Sequence, residues 1–330
     1  MRRRTLLSSS IGLAGLTGLA CSFDSTRPSP ALHTGAALAF GTTVAIKVIH
    51  ENASHAAQAI QKALHEVKKI DALMSPYQPQ SQLFQLNETG ALRSPDRHFV
   101  EVLKFARQLS VLSAGAFDIT VQALWKVFSE AKSRGQLPDP QHVQAARALV
   151  NWQGLEITEQ QLRLARPGMA ITLNGLAQGY ALDLATAVLQ AEGIQHALLD
   201  TGEFGAIGHK QHQKAWALGI ADPRKPDNIL TRLQMDERKL ATSGDYECAF
   251  DASFFHHHIF DPASGLSPTE LASVAVLAPT GILADGLSTA FMVMGSTKAL
   301  ASSQKFKDVD ALLVRKDGSV FKTANFPAAI

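Results

Sequence analysis

The 330-residue chain is 46% hydrophobic and carries 31 Lys and Arg against 29 Asp and Glu, enough apolar material for a substantial core and too little charge bias for a nucleic-acid partner. Three of the basic residues are Arg2, Arg3 and Arg4; without them 28 basic residues face 29 acidic ones, so the rest of the chain is close to −1. With only two cysteines, Cys21 and Cys248, packing rather than disulfide bonding must stabilise the fold.

Arg2 to Arg4 precede the weakly apolar run Leu13-Ala14-Gly15-Leu16, and small residues lead to Ala20-Cys21, which predicts an export signal over residues 1–20. The run falls short of the ~20 residues that span a bilayer, so a permanent membrane helix is disfavoured. Arg3-Arg4 followed by Thr5-Leu6-Leu7 is similar to a twin-arginine signal and equally suits an ordinary basic start. Cys21 suits lipid attachment, or cleavage after Ala20. The expectation is an exported, periplasmic protein that meets the membrane only through its signal or a lipid on Cys21.

Residues 21–36 are expected to be a polar linker punctuated by Pro28 and Pro30, followed by one domain over 37–330. Alternating β-branched residues predict a strand over 38–49. Ala56, Ile60, Leu64, Val67 and Ile70 share one helical face and predict a helix over 52–74. Ser94-Pro95 opens a further helix that Gly115 ends, and helices are expected over 122–134 and 141–149. Short strands are predicted at 155–158, 162–165 and 169–173, then a helix over 176–191 stopped by Gly193. Strands at 197–200, 215–221, 271–277 and 311–314 mix with helices at 283–294 and 298–306. No strict βαβ rhythm and no repeat is visible, so the class is α+β, a single domain with mixed sheets and surrounding helices.

Five stretches at element junctions are richer in glycine, aspartate and hydroxyl residues than packing requires. Phe40-Gly41 heads the first strand, where a bulge glycine is the plainer reading. Asp71 to Tyr77 ends a helix in a proline turn that displays Tyr77, suited to stacking on a planar ligand or to plugging the surface. Ala116-Phe117-Asp118-Ile119-Thr120 follows a helix-ending glycine; Asp118 and Thr120 also suit an ordinary cap. Thr172-Leu173-Asn174-Gly175-Leu176-Ala177-Gln178-Gly179-Tyr180-Ala181-Leu182-Asp183 runs through a glycine turn into a helix N-terminus, which suits a phosphate but matches neither the dinucleotide fingerprint nor a Walker loop. The fifth comprises Thr242-Ser243-Gly244-Asp245-Tyr246, His258-Ile259-Phe260-Asp261-Pro262, and the helix start bearing Asp285, Ser288 and Thr289. Asp285 and Thr289 share a helix face, a hard-oxygen pattern suited to Mg²⁺ that a polar helix face would also show. His256-His257-His258 lacks a ligand set for zinc, and Cys248 lacks a basic partner in sequence.

Taken in order, these stretches resemble the ApbE family of FAD:protein FMN transferases over most of residues 40–321. The resemblance implies a T-fold-related flavin transferase domain that uses FAD as substrate and Mg²⁺. It implies transfer of FMN to a Thr or Ser hydroxyl of an acceptor flavoprotein subunit of a membrane redox complex, with release of AMP. By position, FAD contacts fall on Phe40, Tyr77, Ala116, Phe117, Asp118, Thr172, Gln178 and Phe260, and metal contacts on Gly175, Asp285, Ser288 and Thr289. Asp118, His258 and Asp245 are the candidates for the base that takes the acceptor proton. The chain departs from the family at Thr172, usually aspartate; at Gln178, usually charged; at Thr201-Gly202, usually a glycine pair; and at Phe40, usually methionine. A Mg²⁺-dependent FAD pyrophosphatase giving FMN and AMP, and a non-catalytic FAD-binding maturation partner, are the alternative readings.

Overall fold

The computed structural model describes residues 29–210 and 213–330; the segment read as an export signal, including Arg2 to Arg4, and Cys21 lie outside the described residues. The first element is a hairpin of β1 (Ala31–Ala39) and β2 (Thr42–His50), in which Ala39 faces Thr42. The strand predicted over 38–49 is therefore the second half of a hairpin. The folded region starts at Ala31, inside the segment read as linker. Ala, Gly, Thr and His dominate β1 and give it little apolar signal of its own; pairing along all of β2 is what makes it a strand. The turn residues Phe40 and Gly41 have φ of 52° and 72°. This is the primed two-residue turn whose twist suits a hairpin, so Gly41 is not a bulge residue.

Helix α1 (Ala53–Met74) starts at Asn52, whose side chain accepts from the His55 N–H, and buries its Ala56, Ile60, Leu64, Val67 and Ile70 face. A helix not read from the sequence, α2 (Gln82–Thr89), follows; the Ser81 hydroxyl caps it and left-handed Gly90 ends it. Then come β3 (Ala91–Arg93), α3 (Arg97–Leu112), α4 (Gln122–Ser133), α5 (Pro140–Arg147), β4 (Leu155–Ile157) and β5 (Gln161–Leu164). Residues 169–173 form no strand. The Asn87 amide takes the place of a neighbouring strand, donating to the Ile171 carbonyl at 2.8 Å and accepting from its N–H at 2.7 Å.

The remainder comprises α6 (Ala177–Ala191), β6 (Ala197–Asp200), β7 (Phe204–Ile207), β8 (Ala217–Asp222), β9 (Lys225–Gln234), β10 (Lys239–Gly244), β11 (Leu271–Ala278), α7 (Gly281–Ser303), β12 (Asp310–Arg315) and β13 (Val320–Lys322). The two helices predicted after β11 are halves of α7, broken at Gly295, where φ is 75° and ψ 169°. Glu270 caps the second half by accepting from the Ser296 N–H at 3.1 Å.

An eight-stranded sheet runs β1-β2-β6-β7-β10-β11-β12-β13, beside a β3-β5-β4 sheet and the β8-β9 hairpin. The sheets are not mixed: every pairing among the described strands is antiparallel. Strand β11 is buried along its whole length because the central sheet is covered on both faces. Val274 and Val276 join the main core with α1, α6 and α7, while the alternate residues Ala275 and Leu277 pack with Trp216, Leu218, Ile220 and Leu233 around the β8-β9 hairpin. A third cluster of Leu124, Phe128, Val143, Ala146 and Phe260 sits under α4 and α5.

Candidate active site

The site grows from the place where α6 and α7 start. A Cβ on Gly179 would lie 2.2 Å from the Gly281 carbonyl oxygen, and one on Gly281 would lie 2.3 Å from that of Gly179. Only glycine at both positions lets the two backbones touch. Neither helix has a side-chain cap from the residue preceding it, and each receives a carboxylate from the other instead. Asp285 of α7 accepts from the Gly179 N–H at 3.0 Å, and Asp183 of α6 accepts from Gly281 at 2.6 Å and Ile282 at 3.0 Å. This exchange satisfies donors that would otherwise be orphaned and sets negative charge against two positive helix ends.

Both carboxylates are shielded from water. Burial raises the Asp285 pKa to about 7, with the Asp183 charge adding to it and the Gly179 N–H opposing it. Burial also raises that of Asp183, against the two α7 amides and the buried Lys239 ammonium. Hydroxyls gather one helical turn beyond Asp285. Ser288 donates to the Asp285 carbonyl at 2.8 Å, and the Ser243 hydroxyl, at the end of β10, lies 2.7 Å from that of Ser288 and 3.2 Å from that of Thr289. A Cβ on Gly175 would be 2.8 Å from the Thr289 hydroxyl and 3.6 Å from the Phe117 ring. The four residues predicted to face a metal, Gly175, Asp285, Ser288 and Thr289, thus come together.

Ser243 belongs with them, although the sequence marked only the stretch that contains it. Asp183 likewise ended a stretch without a role; one helical turn from Gly179 was its only signal. Among the described residues no three His, Cys, Asp or Glu side chains cluster as a metal group, so a cation here would draw on one carboxylate, hydroxyls and carbonyls. That donor set suits Mg²⁺, which retains waters and is completed by substrate phosphates.

The predicted flavin-side residues divide. Phe117 reaches the metal-side group through Gly175, and the Thr172 N–H donates to the Ile119 carbonyl at 2.8 Å, tying the 116–120 loop to the 172–175 loop. Ala116 lies half-buried in the first of these loops. The Gln178 side-chain amide donates to the Thr201 carbonyl at 3.1 Å, and the Thr201 hydroxyl donates to the Gln178 carbonyl at 3.1 Å. The two departures at Gln178 and Thr201 therefore bind each other. Phe40 sits half-buried in its hairpin turn, its N–H donating to the Asp71 carboxylate. Tyr77 is 69% exposed. Phe260 is buried among Phe128 and Phe250, at centroid distances of 5.0 and 6.1 Å, and its ring serves packing.

The three candidate bases differ in what they already hold. One Asp118 oxygen accepts from the Thr120 N–H at 2.8 Å and hydroxyl at 2.6 Å, the other from the Trp152 N–H at 3.1 Å. Asp118 is the cap that the sequence also allowed. Asp245, fully buried, forms a two-pronged pair with Arg224 at 2.8 Å and meets Lys316 at 2.9 Å. His258 is different: its Nδ1 is buried without a hydrogen-bond partner, and burial lowers its pKa, which favours the neutral ring. His257 points elsewhere, its Nε2 lying 3.1 Å from the Pro268 carbonyl, and burial lowers its pKa to about 4. His256 pairs with Asp251.

The chain is similar to known proteins over most of its length. A FAD:protein FMN transferase of Salmonella typhimurium is 28% identical over 315 residues, covering 91% of this chain and 89% of that one. One of Haemophilus influenzae is 29% identical over 307 residues, covering 86% and 87%. The crystal structure of the ApbE protein of Thermotoga maritima superposes with a TM-score of 0.81 at 25% identity, covering 90% of this chain and 98% of that one. The apo flavinyl transferase ApbE of Pseudomonas stutzeri gives 0.78 at 29% identity, covering 92% and 97%. Residues 40–313 match the ApbE family, and the chain is a member of that family.

Proposed function

We propose that this protein transfers FMN from FAD to a Thr or Ser hydroxyl of a target flavoprotein, releasing AMP. The observation that carries the reading is the meeting of the α6 and α7 N-termini at buried Asp285, with the Ser288, Thr289 and Ser243 hydroxyls gathered one helical turn further on. Two helix N-termini with hydroxyls close by suit a diphosphate. A buried carboxylate whose pKa is raised, with no cationic side chain among the causes of its shift, suits a cation that would neutralise it. Asp285, Thr289 and Ser288, with backbone at Gly175, would hold Mg²⁺, which when bound offsets charge on the diphosphate.

The chain's own residues supply orientation and proton transfer. The acceptor hydroxyl attacks the FMN-side phosphorus in line, the P–O bond to AMP breaks, and AMP leaves with the bond's electron pair. The neutral ring of His258 takes the hydroxyl proton, because Asp118 is held by three donors and Asp245 by two cations. The loops at 116–120 and 172–175, joined backbone to backbone, fix the wall against which FAD is oriented.

The test is incubation with FAD, Mg²⁺ and a candidate acceptor, followed by acceptor mass and free AMP. An FMN-sized mass increase with stoichiometric AMP supports transfer. AMP with unmodified acceptor means hydrolysis, and bound flavin with neither means a carrier. His258→Gln should lower the transfer rate by about 10²–10⁴-fold while leaving FAD affinity within about twofold. The acceptor we expect is a subunit of a membrane redox complex, and the place of action the periplasm. Supporting that location are the basic, weakly apolar N-terminus and Ala20-Cys21; among the described residues no helix is long and apolar enough to cross a membrane. Fractionation and the mass of the mature N-terminus would decide between a lipid on Cys21 and cleavage after Ala20.

A further inference from the structure

Residues 245–258, between β10 and the His258-Ile259-Phe260 segment, fold back on themselves. Ala249 bridges His257, the Phe250 N–H donates to the His256 carbonyl at 2.7 Å, and the His258 N–H donates to the Cys248 carbonyl at 3.0 Å. His258 is therefore positioned by a narrow two-legged loop, and what fixes the legs fixes the ring. One leg begins at Asp245, directly after the Ser243-Gly244 end of β10, where the Asp245 N–H donates to the Ala272 carbonyl at 2.9 Å.

The Asp245 carboxylate is gripped from two distant parts of the chain. Arg224, in the turn between β8 and β9, meets both of its oxygens at 2.8 Å, and Lys316, just after β12, approaches to 2.9 Å. The same two cations hold the other leg. The Arg224 guanidinium stacks over the Phe254 ring at 4.8 Å, the Lys316 ammonium lies over Phe255 at 4.9 Å, and Lys316 donates to the Phe254 carbonyl. Phe254 has φ of 62°, a left-handed conformation that a bulky residue keeps only where its surroundings impose it. A carboxylate with two cations is more charge than anchoring a loop needs, and desolvating it favours no fold for its own sake. The arrangement instead selects one position for both legs.

We infer that Arg224 and Lys316 are positioning residues for the transfer, clamping Asp245 and Phe254 so that the loop presents His258 in one fixed geometry. The inference rests on His258 acting as the base. It also gives Asp245, a candidate base in the sequence, a different task.

The experiment is a double-mutant cycle on the full chain with FAD, Mg²⁺ and acceptor, reading kcat, KM for the acceptor, and FAD affinity by fluorescence. Arg224→Met should lower kcat by about 10- to 100-fold, the range a displacement of about 1 Å produces, with FAD affinity within about twofold. Arg224→Lys, which keeps the charge but not the two-pronged contact, should recover part of that loss and guards against a variant that does not fold. Because the clamp acts through His258, the Arg224→Met/His258→Gln double variant should be no slower than His258→Gln alone. The histidine ring signal of His258 in NMR should move in Arg224→Met. Additive losses in the double variant, or an Arg224→Met protein with unchanged kcat, would overturn the clamp. Full activity in His258→Gln alone would overturn the base assignment instead, so the two failures are distinct.

Discussion

Gly179→Ala pits two effects against each other. In an ordinary helix interior the change stabilises by about 1 kcal/mol, since alanine has the higher helix propensity. Here the new Cβ would stand 2.2 Å from the Gly281 oxygen, 2.5 Å from the Gly281 carbon and 2.8 Å from the Asp285 Cβ. Two of these are backbone atoms that cannot rotate aside, so reaching van der Waals separation requires α6 and α7 to part by about 1 Å. Overpacking of that kind costs about 1–3 kcal/mol. Parting the helices also stretches the 3.0 Å bond from the Gly179 N–H to Asp285, a charged-acceptor bond that contributes about 1.5–3 kcal/mol when the carboxylate is ionised. After the propensity gain is subtracted, the variant should be destabilised by about 2 kcal/mol, read as a lower Tm and urea midpoint in EDTA. Its FAD affinity in Mg²⁺ should fall as Asp285 moves. A variant more stable than the parent would show that the helices do not meet at this glycine pair, and the reciprocal capping would fall with it.

Three further outcomes follow from the same geometry. The folded-state pKa of Asp285 is raised to about 7 from 3.8, so its contribution is favourable below pH 4 and is lost as pH climbs through about 7. In EDTA, stability should therefore fall across that window by at most about 4 kcal/mol, and Asp285→Asn should flatten the fall; an unchanged slope in the variant contradicts the assignment. Asn87→Ala strips Ile171 of partners for both its N–H and carbonyl and should cost about 2–4 kcal/mol in urea unfolding, with weaker FAD binding through the adjoining Thr172. Gly202→Ala places a Cβ 2.0 Å from the Gln178 amide nitrogen at a φ of 100°, which should break the Gln178–Thr201 exchange and destabilise by about 2–4 kcal/mol. An alanine variant unfolding at the parent's midpoint would show that the turn relaxes without loss.

What could be read from the sequence was local. The face of α1 and its Asn52 cap, the helix ends at Gly115 and Gly193, and the break between the halves of α7 all follow from periodicity and from residues that favour one backbone conformation. The sharing of one site by Gly175, Asp285, Ser288 and Thr289 came from the order of short stretches matching a family. What failed to show was whatever depends on a distant partner. Strand β1 has almost no apolar pattern and is a strand because β2 pairs with it. Strand β10, rich in Thr, Ser and Gly, is held between β7 and β11. Conversely, 169–173 has a strand's composition and no neighbouring strand, because the Asn87 side chain takes the backbone bonds.

The same division applies to chemistry. The residue types at Asp118, Asp245 and His258 make each a plausible base, and no spacing rule separates them. In the tertiary structure they differ in what they hold: three donors surround Asp118 and two cations Asp245, while the His258 Nδ1 is buried and unpartnered. The sequence by itself determined the family, the element types and which oxygens and rings are available. Only the tertiary structure decided which of them already hold partners, because those hydrogen bonds and charges come from residues such as Trp152, Arg224 and Lys316, far away along the chain.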